Sequence, residues 1–488
     1  MIESTENCII SLDIGTTYIK AFAYSTLGRV LVTAIAHITE PEPGLQDAIK
    51  VYGQCVDVLK QISKQLGSQS LKPYCLSISG AMHSILPVDR NGKPLAFAMI
   101  WANNSGLQVV KDFARTDLAW SIYKETGTPV HPMSPLIKIA WMKLERSDIF
   151  QRACKFISIK EYVYFQLTGN FLVDYSIASA TGIFDARNLI WSQKALEFAG
   201  ITEKHLGEPV SPYQRVEISS SISKDLGLDG NLTVVIGASD GCLAALGAAP
   251  LKEGNISLSI GTSAALRSFV PNYWPDEKSR LFTYLLDEQY FITGGASNSA
   301  GAVFAWLTQL FAGKEIGFTD FETFNSMAST IHPGSEGLCF IPYILGERAP
   351  IWDAEATGSF SGIKNIHTRA HFARAAMEGI LYNLRYILEI LKERITINDI
   401  FAGGGLIAFP IWRQTLATIL NRPLNYQLAK EDSAAGAAII GMKAMGIIPS
   451  IITQTIFYKP MPAVIPEELM TEQYDHLYQQ FKHSINQI

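Results

Sequence analysis

The sequence predicts an α/β protein made of two duplicated domains with a cleft between them. Three observations favour this fold class: a hairpin-like segment occurs twice, glycine-rich turns follow strand-like runs, and amphipathic helical patterns accompany them. The chain has 488 residues, of which 48% are hydrophobic, and a domain takes roughly 150 residues, so more than one domain is expected. A chain of this length can bury a large core.

The repeated segment is the strongest of these observations. Its first copy, Ile9 to Tyr24, is IISLDIGTTYIKAFAY, and its second copy, Asn255 to Val270, is NISLSIGTSAALRSFV. Each copy has alternating apolar residues, a Gly-Thr turn and a β-branched or aromatic run, which is typical of a β-hairpin. Because the copies lie about half a chain apart, we predict a duplication with domains at 1–247 and 248–488, each directing one hairpin into the cleft.

The turn of each hairpin is suited to phosphate. Gly15 and Gly261 favour a tight turn, open to a positive φ, that exposes backbone N–H groups. Hydroxyl groups follow directly, from Thr16, Thr17, Thr262 and Ser263. Such a turn forms a small nest of donors for phosphate oxygens. A plain glycine turn that binds no ligand is the alternative interpretation.

The two copies differ at one position that matters chemically. Asp13 in the first copy corresponds to Ser259 in the second. A carboxylate beside a phosphate is repelled unless a cation lies between them, and Mg²⁺ prefers a few carboxylates, waters and phosphate oxygens. Asp13 is therefore predicted to hold magnesium, through water. The alternative is that its side chain accepts backbone N–H groups of the turn.

Two further glycine-rich segments precede helical patterns. Gly403, Gly404 and Gly405 follow a short apolar strand, so a flat ligand could approach the backbone there, and the next helix N-terminus favours an anion. A flexible loop is the alternative. Gly301 lies where a Gly/Ser loop enters a helix, and tight helix packing would explain it.

A buried strand pattern breaks at Ser239-Asp240-Gly241, where a helix of small residues follows. An aspartate at such a break can cap the helix N-terminus. It can also act as a general base that accepts a proton from a bound group.

Several motifs together resemble a known family. The hairpins DxGTT and xxGTS resemble the two phosphate motifs of the actin-like ATPase superfamily. Longer segments resemble the FGGY carbohydrate kinases over nearly the whole chain: FIPYILGERAPIWDAEATGSFSGI (Phe340 to Ile363), FAGGGLIAFPIWRQTLATILNRPL (Phe401 to Leu424) and EDSAAGAAIIGMKAMG (Glu431 to Gly446). The resemblance implies two ribonuclease-H-like domains, ATP and Mg²⁺ as cofactors, and phosphorylation of a sugar.

The resemblance also implies roles for individual residues. Asp240 would be the general base and, with Met82, His83 and Trp101, would contact the sugar. Asp13 would anchor Mg²⁺. The residues that would contact the nucleotide are Gly15, Thr16, Thr17, Gly261, Thr262, Gly301, Gly404 and Gly405. Glu347 and Arg348 are expected to brace the loop that leads to Pro350.

This sequence departs from the family pattern in two places. The family commonly has W-x-D-x-R where this chain has Trp101, Asn103 and Ser105, so a carboxylate has become an amide and an arginine a serine. The family usually has a serine at the position of Phe409, so the adenine pocket is expected to be more apolar.

Two segments, Thr126 to Trp141 and Ile157 to Asp185, resemble the gluconate-specific members of the family more than those specific for xylulose or glycerol. The resemblance therefore implies conversion of D-gluconate to 6-phosphogluconate. A kinase for another polyol or ketose, such as xylulose, ribulose or glycerol, is the alternative, and a non-kinase actin-like ATPase is a more distant one. The candidate donors for the gluconate carboxylate are His131, Lys138 and Lys160.

Composition limits the other possibilities. The formal net charge of −5 argues against nucleic acid and anionic membrane surfaces as partners. Six cysteines without a CxxC pair, no apolar run of spanning length and a polar N-terminal segment favour a cytoplasmic protein. His367 and His371 lack a third ligand for a metal. The amphipathic pattern from Thr368 to Arg394 predicts a helix. The pattern from Pro466 to Ile485, with Leu469, Tyr474, Leu477, Tyr478 and Phe481 on its apolar face, is expected to pack on the protein or on a partner subunit, so the protein could form a homodimer.

Overall fold

The computed structural model describes residues 7–228, 231–312, 318–427, 431–452, 457–458 and 461–485. The α/β class is confirmed, and the chain forms two compact units, each assembled from three separate segments. Unit 1 comprises Met1–Lys252, Phe269–Thr293 and Glu431–Tyr458. Unit 2 comprises Glu253–Ser268, Gly294–Lys430 and Lys459–Ile488.

Within the described residues, the strands are β1 (Asn7–Ile14), β2 (Tyr18–Ser25), β3 (Val30–His37), β4 (Leu45–Gln46), β5 (Lys72–Gly80), β6 (Leu86–Val88), β7 (Ala98–Met99), β8 (Lys155–Ile157), β9 (Leu172–Asp174), β10 (Phe184–Asp185), β11 (Ile190–Trp191), β12 (Glu208–Val210), β13 (Arg215–Ile218), β14 (Leu232–Ser239), β15 (Ile256–Ile260), β16 (Ala264–Val270), β17 (Phe282–Leu285), β18 (Phe291–Ser297), β19 (Cys339–Ile341), β20 (Ser359–Ser361), β21 (Ile400–Gly403), β22 (Leu424–Tyr426) and β23 (Met461–Val464).

The α-helices of the same residues are α1 (Ala48–Ser68), α2 (Leu107–Phe113), α3 (Asp117–Thr126), α4 (Pro135–Glu145), α5 (Ser147–Arg152), α6 (Ile159–Thr168), α7 (Tyr175–Ser179), α8 (Gln193–Ala199), α9 (Ser220–Asp225), α10 (Asp240–Ala248), α11 (Gly301–Ala312), α12 (Phe318–Ser329), α13 (Arg369–Lys392), α14 (Pro410–Leu420), α15 (Asp432–Ala444) and α16 (Glu468–Ile485). Short 3₁₀ helices lie at Glu203–His205, Ser335–Gly337 and Gly405–Ala408. No helix among the described residues combines the length and the apolar character that crossing a membrane requires.

Unit 1 is built on a six-stranded sheet in the order β13-β14-β5-β1-β2-β3. Strands β1, β5 and β14 are parallel, while β1, β2 and β3 form an antiparallel meander. Helices cover both faces, so β1 is buried along almost its whole length. Helix α1 packs in the cluster that contains Ile10 and Leu12, and α15 packs on the opposite face against Ile9 and Ser11. The parallel strands therefore end together, at the edge where Asp13, Gly80 and Ser239 lie.

Unit 2 repeats the central part of this arrangement. Its strands have the order β18-β16-β15-β21-β22-β23. The hairpin β15–β16 is antiparallel, and β15 runs parallel to β21, as β1 runs parallel to β5 in unit 1. The predicted duplication of the hairpin is therefore confirmed, together with the parallel strand beside it.

The two hairpins differ in the length of their turns. Ile14 pairs with Ile19 in unit 1, whereas Ile260 pairs with Ala264 in unit 2, so the second turn is one residue shorter. The ungapped alignment of the two sequence copies is therefore correct for the first strand and the turn glycine, and shifts by one residue in the second strand.

The amphipathic helices agree with the sequence patterns with one exception. The helix expected from Thr368 to Arg394 is α13, with Thr368 as its N-cap residue. The C-terminal pattern forms α16, which buries Tyr474, Tyr478 and Phe481 within unit 2. Leu469 was expected on the same apolar face, but its side chain is 91% exposed, because it lies in the first turn of α16 before the helix reaches the core.

Candidate active site

Asp13 lies one residue before the end of β1 and is buried, with 8% of its surface exposed. Its Oδ1 accepts a hydrogen bond from the Ser79 hydroxyl at 2.6 Å, and its Oδ2 accepts one from the Ser433 hydroxyl at 2.8 Å. The alternative role that the sequence allowed, acceptance of backbone N–H groups within the turn, does not appear among the hydrogen bonds of the described residues. The two hydroxyls instead fix the carboxylate plane at the carboxyl end of the sheet.

The surroundings of Asp13 fit a magnesium ion bound through water. Asp13, Ser79 and Ser433 offer hard oxygen atoms. A carboxylate has about four lone-pair positions, of which the two hydroxyls use two. Among the described residues no group of three or more His, Cys, Asp or Glu side chains could hold a metal ion. With a single carboxylate, Asp13 would hold Mg²⁺ through water.

The turn after Asp13 is tight, although not in the expected conformation. The Gly15 N–H donates to the Tyr18 carbonyl at 3.0 Å, and a Cβ at Gly15 would come within 2.8 Å of that oxygen. Neither Gly15 nor Gly261 has a positive φ, so the open possibility of a left-handed glycine is wrong at both turns. Gly15 is required by close backbone approach rather than by its φ. Thr16 is half-buried and Thr17 is exposed.

His83 occupies a constrained position after β5. Its φ of 68° lies in the left-handed region, which is costly for a residue with a side chain. The ring is buried, its Nδ1 lies 2.9 Å from the Ala180 carbonyl, and it meets the Tyr284 ring edge-on. A carbonyl only accepts, so Nδ1 carries a proton. Met82, next to it, is half-buried.

Lys138 joins the His83 segment to the Trp101 segment. Its ammonium group is fully buried and donates to the carbonyls of His83 and Ile100, both at 2.7 Å. Burial lowers the pKa of Lys138 well below its ordinary value. Because Ile100 immediately precedes Trp101, this lysine fixes two of the segments predicted to contact the sugar, and its nitrogen is committed to the protein interior.

Asn103 and Ser105, where the family pattern is broken, belong to a different environment. They line a groove of about 770 Å³ in unit 1 together with apolar residues that include Phe97, Met99 and Trp141. Met82, His83, Trp101 and Asp240 do not line this groove.

Asp240 is the first residue of α10, directly after the carboxyl end of β14. The N-cap of α10 is Ser239, whose hydroxyl accepts from the Cys242 N–H, so the suggestion that Asp240 itself caps the helix is wrong. Asp240 is half-buried, and its Oδ1 accepts from the Gly241 N–H at 2.7 Å. That hydrogen bond and the positive end of the helix dipole both favour the carboxylate form.

Lys160 is buried against the end of β14, just before Asp240. Its Nζ donates to Asp174 Oδ2 at 2.6 Å and to the Ala238 carbonyl at 3.0 Å, and both charged side chains are 2% exposed. Lys160 and Lys138 are therefore internal groups, which removes both as direct donors to a substrate carboxylate. His131, the third candidate, is buried, and its Nδ1 accepts from the Met133 N–H at 3.2 Å, so its neutral ring carries the proton on Nε2.

In unit 2 the turn of the second hairpin is held by the start of α11. The N–H groups of Gly301 and Ala302 donate to the carbonyls of Gly261 and Thr262, both at 2.9 Å. A Cβ at Gly301 would lie 2.5 Å from the Gly261 oxygen. Gly301 therefore lies beside the turn, and close packing, the alternative that the sequence left open, explains why it is a glycine. Its N–H is already used within the protein. Thr262 is exposed.

Gly404 and Gly405 lie at the end of β21, next to β15, and both are exposed. Gly404 has a φ of 97°, and a Cβ there would come within 2.5 Å of the Ile260 carbonyl, so this position requires glycine. Gly405 differs, because no protein atom lies within 4 Å of an added Cβ. Phe409 is the N-cap residue of α14 without a side-chain cap, and its ring contacts Phe321.

Glu347 and Arg348 are structural, as the sequence suggested. Glu347 is completely buried and accepts from the Ser297 hydroxyl at 2.8 Å and from the Asn298 and Arg348 N–H groups at 2.7 Å. Burial raises the pKa of Glu347. The Arg348 guanidinium donates to Asn298 Oδ1 at 2.8 Å, so both residues brace the loop before Pro350.

Sequence reasoning missed the side chains that support the predicted site. Ser79 and Ser433 bind Asp13, and Ser176 contacts the strand end before Asp240. Asp174 binds the Lys160 ammonium, which contacts the same strand end. Ser433 is hundreds of residues from Asp13, so no local pattern connects them. The only local signals were an acidic residue and two serines at helix starts, which are also typical of caps.

Comparison with known proteins identifies the family. The family model for the N-terminal domain of the FGGY family of carbohydrate kinases matches residues 8–247. The model for the C-terminal domain of the same family matches residues 256–445. Gluconokinase of Bacillus subtilis (strain 168) is 36% identical over 455 residues, which cover 91% of this chain and 88% of that protein. Xylulose kinase of Staphylococcus xylosus is 30% identical over 446 residues, which cover 90% of each chain. The crystal structure of gluconate kinase from Lactobacillus acidophilus superposes with a TM-score of 0.92 at 30% identity and 98% coverage of both chains. The chain belongs to the FGGY family of carbohydrate kinases.

Proposed function

We propose that this protein phosphorylates D-gluconate with ATP at the primary hydroxyl and forms 6-phosphogluconate and ADP. The observation that carries the proposal is the 36% identity with a gluconokinase over 91% of the chain, against 30% with a xylulose kinase of similar coverage. The position of Asp240 at a strand end, half-buried and held as a carboxylate, supports a reaction that needs a base.

In the proposed step the primary hydroxyl oxygen attacks the γ-phosphorus of ATP in line with the departing ADP oxygen. The hydroxyl proton passes to the Asp240 carboxylate, the new O–P bond forms and the bond to the β-phosphate oxygen breaks. The Gly241 N–H, 2.7 Å from Asp240 Oδ1, orients the carboxylate before the reaction.

The sugar contacts proposed are Met82, His83, Trp101 and Asp240. In the neutral His83 ring Nε2 is an acceptor, which suits the O–H group of a polyol. Lys138 holds the His83 and Ile100 carbonyls, so this part of the site is preorganised. For the gluconate carboxylate we propose the Nε2–H of His131, whose Nδ1 accepts from the Met133 N–H. The ammonium groups of Lys138 and Lys160 already donate to protein oxygen atoms.

The nucleotide contacts proposed are Gly15, Thr16, Thr17, Gly261, Thr262, Gly404 and Gly405. Gly301 is proposed to act by shaping the Gly261–Thr262 turn, since its own N–H donates to that turn. Asp13 would hold Mg²⁺ through water. When bound, Mg²⁺ would offset phosphate charge, as it does in phosphoryl transfer generally.

A ketose kinase is the second candidate, because the xylulose kinase of Staphylococcus xylosus matches over 90% of the chain. The test is ADP release in a coupled assay with gluconate, xylulose, ribulose, glycerol or no acceptor. We expect release with gluconate and a rate near background without an acceptor. Reaction with ketoses or glycerol alone would overturn the gluconate assignment, and release without any acceptor would indicate a non-kinase ATPase.

We also propose that the enzyme acts in the cytoplasm and forms a homodimer. The six cysteines support a reducing compartment, since no disulfide joins the described ones. Light scattering on the purified chain tests the dimer, and a mass near 53.7 kDa would contradict it.

A further inference from the structure

The junction between β14 and α10 is held by buried polar side chains that the proposed reaction does not use. Three of them, Lys160, Asp174 and Ser176, are here called the buried bracket. Lys160 lies on α6, Asp174 ends β9 and Ser176 belongs to α7. All three have 2% or less of their surface exposed.

The charged half of the bracket holds the strand. The Lys160 ammonium lies 2.6 Å from Asp174 Oδ2 and 3.0 Å from the Ala238 carbonyl, two residues before Asp240. Removing two charges from water is costly, so a buried ion pair is a weak source of stability. Its geometric effect is clearer, because the contact fixes the end of β14 relative to α6.

The neutral half of the bracket holds the start of the helix. The Ser176 hydroxyl lies 2.7 Å from the Ser239 hydroxyl and accepts from the Ser239 N–H at 3.2 Å. Ser239 is the N-cap of α10 and precedes Asp240. Asp174 also caps α7 by accepting from the Ile177 N–H at 2.9 Å, so the same carboxylate fixes Lys160 and the helix that carries Ser176.

The bracket is also linked to Asp240 by charge. Burial lowers the pKa of Lys160, whereas the carboxylates of Asp174, Glu161 and Asp240 oppose that change. Asp240 is thus close enough for its charge to interact with the ammonium, and the attraction favours the ionised form of both groups.

We propose that Lys160, Asp174 and Ser176 are positioning residues that fix Asp240 for proton abstraction. This inference rests on the proposed role of Asp240 as the base. Misplacing a catalytic group by about 1 Å can lower a rate about 100-fold.

The test compares Ser176→Ala and Lys160→Met with the matched control Ser179→Ala. Ser179 lies on the same helix and is equally buried, but its hydroxyl bonds the Ser176 carbonyl and the Leu285 N–H instead of Ser239. We expect kcat to fall about 10-fold in Ser176→Ala and about 100-fold in Lys160→Met, with the KM for the acceptor within about twofold of wild type. The acid limb of the kcat/KM profile should move to higher pH by about one unit in Lys160→Met. Ser179→Ala should keep the wild-type kcat.

Wild-type kcat and pH profile in Ser176→Ala and Lys160→Met would overturn the bracket, as would an equal loss of kcat in Ser179→Ala. If Lys160→Met does not fold, the kcat and KM of Ser176→Ala alone test whether the buried bracket positions Asp240. Asp240→Asn separates the two proposals: full turnover in that variant would overturn the base assignment, whereas its inactivity beside unaffected bracket variants would overturn the bracket alone.

Discussion

At the scale of single residues, Asp240 has the properties expected of a base that is charged before the reaction begins. It follows a capping serine at the first position of a helix, and its oxygen already accepts an N–H. We predict that Asp240→Asn lowers kcat about 1000-fold, because an amide keeps the shape and the hydrogen bond but accepts no proton. Steady-state kinetics would measure kcat, and acceptor binding by calorimetry should change little.

The control for this substitution is Asp117→Asn. Asp117 also follows an N-cap residue with a hydroxyl, Thr116, and begins helix α3. Its substitution by asparagine therefore removes the same favourable interaction with a helix dipole. It is exposed, and kcat should be unchanged. A comparable loss of activity in both variants would show that Asp240 acts through helix stability.

Glu161 gives a prediction about pH and stability. It closes the capping box of α6 with Ser158, and burial raises its pKa from the ordinary 4.5 to about 7, with nearby Asp174 acting in the same direction and Lys155 against it. The folded chain therefore binds this proton more tightly than the unfolded chain. The resulting stability is present below pH 4.5 and is lost as pH rises through about 7, by about 3 kcal/mol.

Glu161→Gln removes this titration and keeps an oxygen for the Ser158 N–H. As pH rises from 5 to 8, the free energy of unfolding of the variant should rise by about 3 kcal/mol relative to that of wild type. Urea unfolding followed by tryptophan fluorescence at the two pH values measures this difference. Ser158→Ala, which loses the cap, should lower stability by about 1 kcal/mol at both pH values. Parallel pH curves for wild type and Glu161→Gln would contradict the prediction.

At the scale of elements, the sequence was most informative where local chemistry decides the structure. The alternation in Ile9 to Tyr24 gave both strands of the first hairpin, and the apolar spacing after Thr368 gave α13 with its cap. The second hairpin turn was shortened by one residue, which an ungapped alignment does not reveal. The prediction that Leu469 is buried was wrong for a similar reason. Periodicity identifies the apolar face of a helix, but it does not show at which residue the helix begins to contact the core.

The loop after β21 allows a test of ligand contact without a folding cost. Gly405 has an ordinary φ and no protein atom within 4 Å of an added Cβ, so Gly405→Ala should leave the melting temperature unchanged. If the nucleotide lies against this backbone, the methyl group should weaken ATP binding about tenfold or more. Calorimetric titration with an ATP analogue measures the effect.

Gly404→Ala is the contrasting variant in the same loop. Its φ of 97° and the 2.5 Å approach to the Ile260 carbonyl predict destabilisation whether or not a ligand binds there. Unchanged ATP affinity in Gly405→Ala would place the nucleotide elsewhere and remove Gly405 from the proposed site.

At the scale of the whole molecule, segments that are far apart along the chain belong to the same compact unit. The sequence predicted domains at 1–247 and 248–488, whereas unit 1 includes Phe269–Thr293 and Glu431–Tyr458. Local periodicity could not reveal this grouping, because α15 is rich in alanine and glycine and buried along most of its length, so no single face marks its partner. The domain boundary stays a prediction that a fragment can test.

We predict that the fragment Met1–Gly247 alone does not form a native core. Helix α15 covers one face of the unit 1 sheet: Gly441 lies against Ile9 and Cys75, and the Ser11 hydroxyl donates to the Ala434 carbonyl at 2.8 Å. Without α15 these buried apolar groups would face water, which costs roughly 25 cal/mol for each Å² exposed. The fragment should bind the dye ANS, melt without a cooperative transition and exchange the amide hydrogens of β1 and β5 rapidly.

The matched fragment carries Glu431–Tyr458 appended through a flexible linker, which restores the covering helix without unit 2. Its β1 and β5 amides should exchange more slowly than in the first fragment, because α15 can pack where Gly247 and Gly436 allow close helix contact. A Gly436→Ala change in the appended segment should cancel that protection, since the new Cβ would lie 2.1 Å from the Leu243 carbonyl. If Met1–Gly247 alone melts cooperatively with protected β1 amides, the first 247 residues are sufficient as a domain and α15 is dispensable for its core.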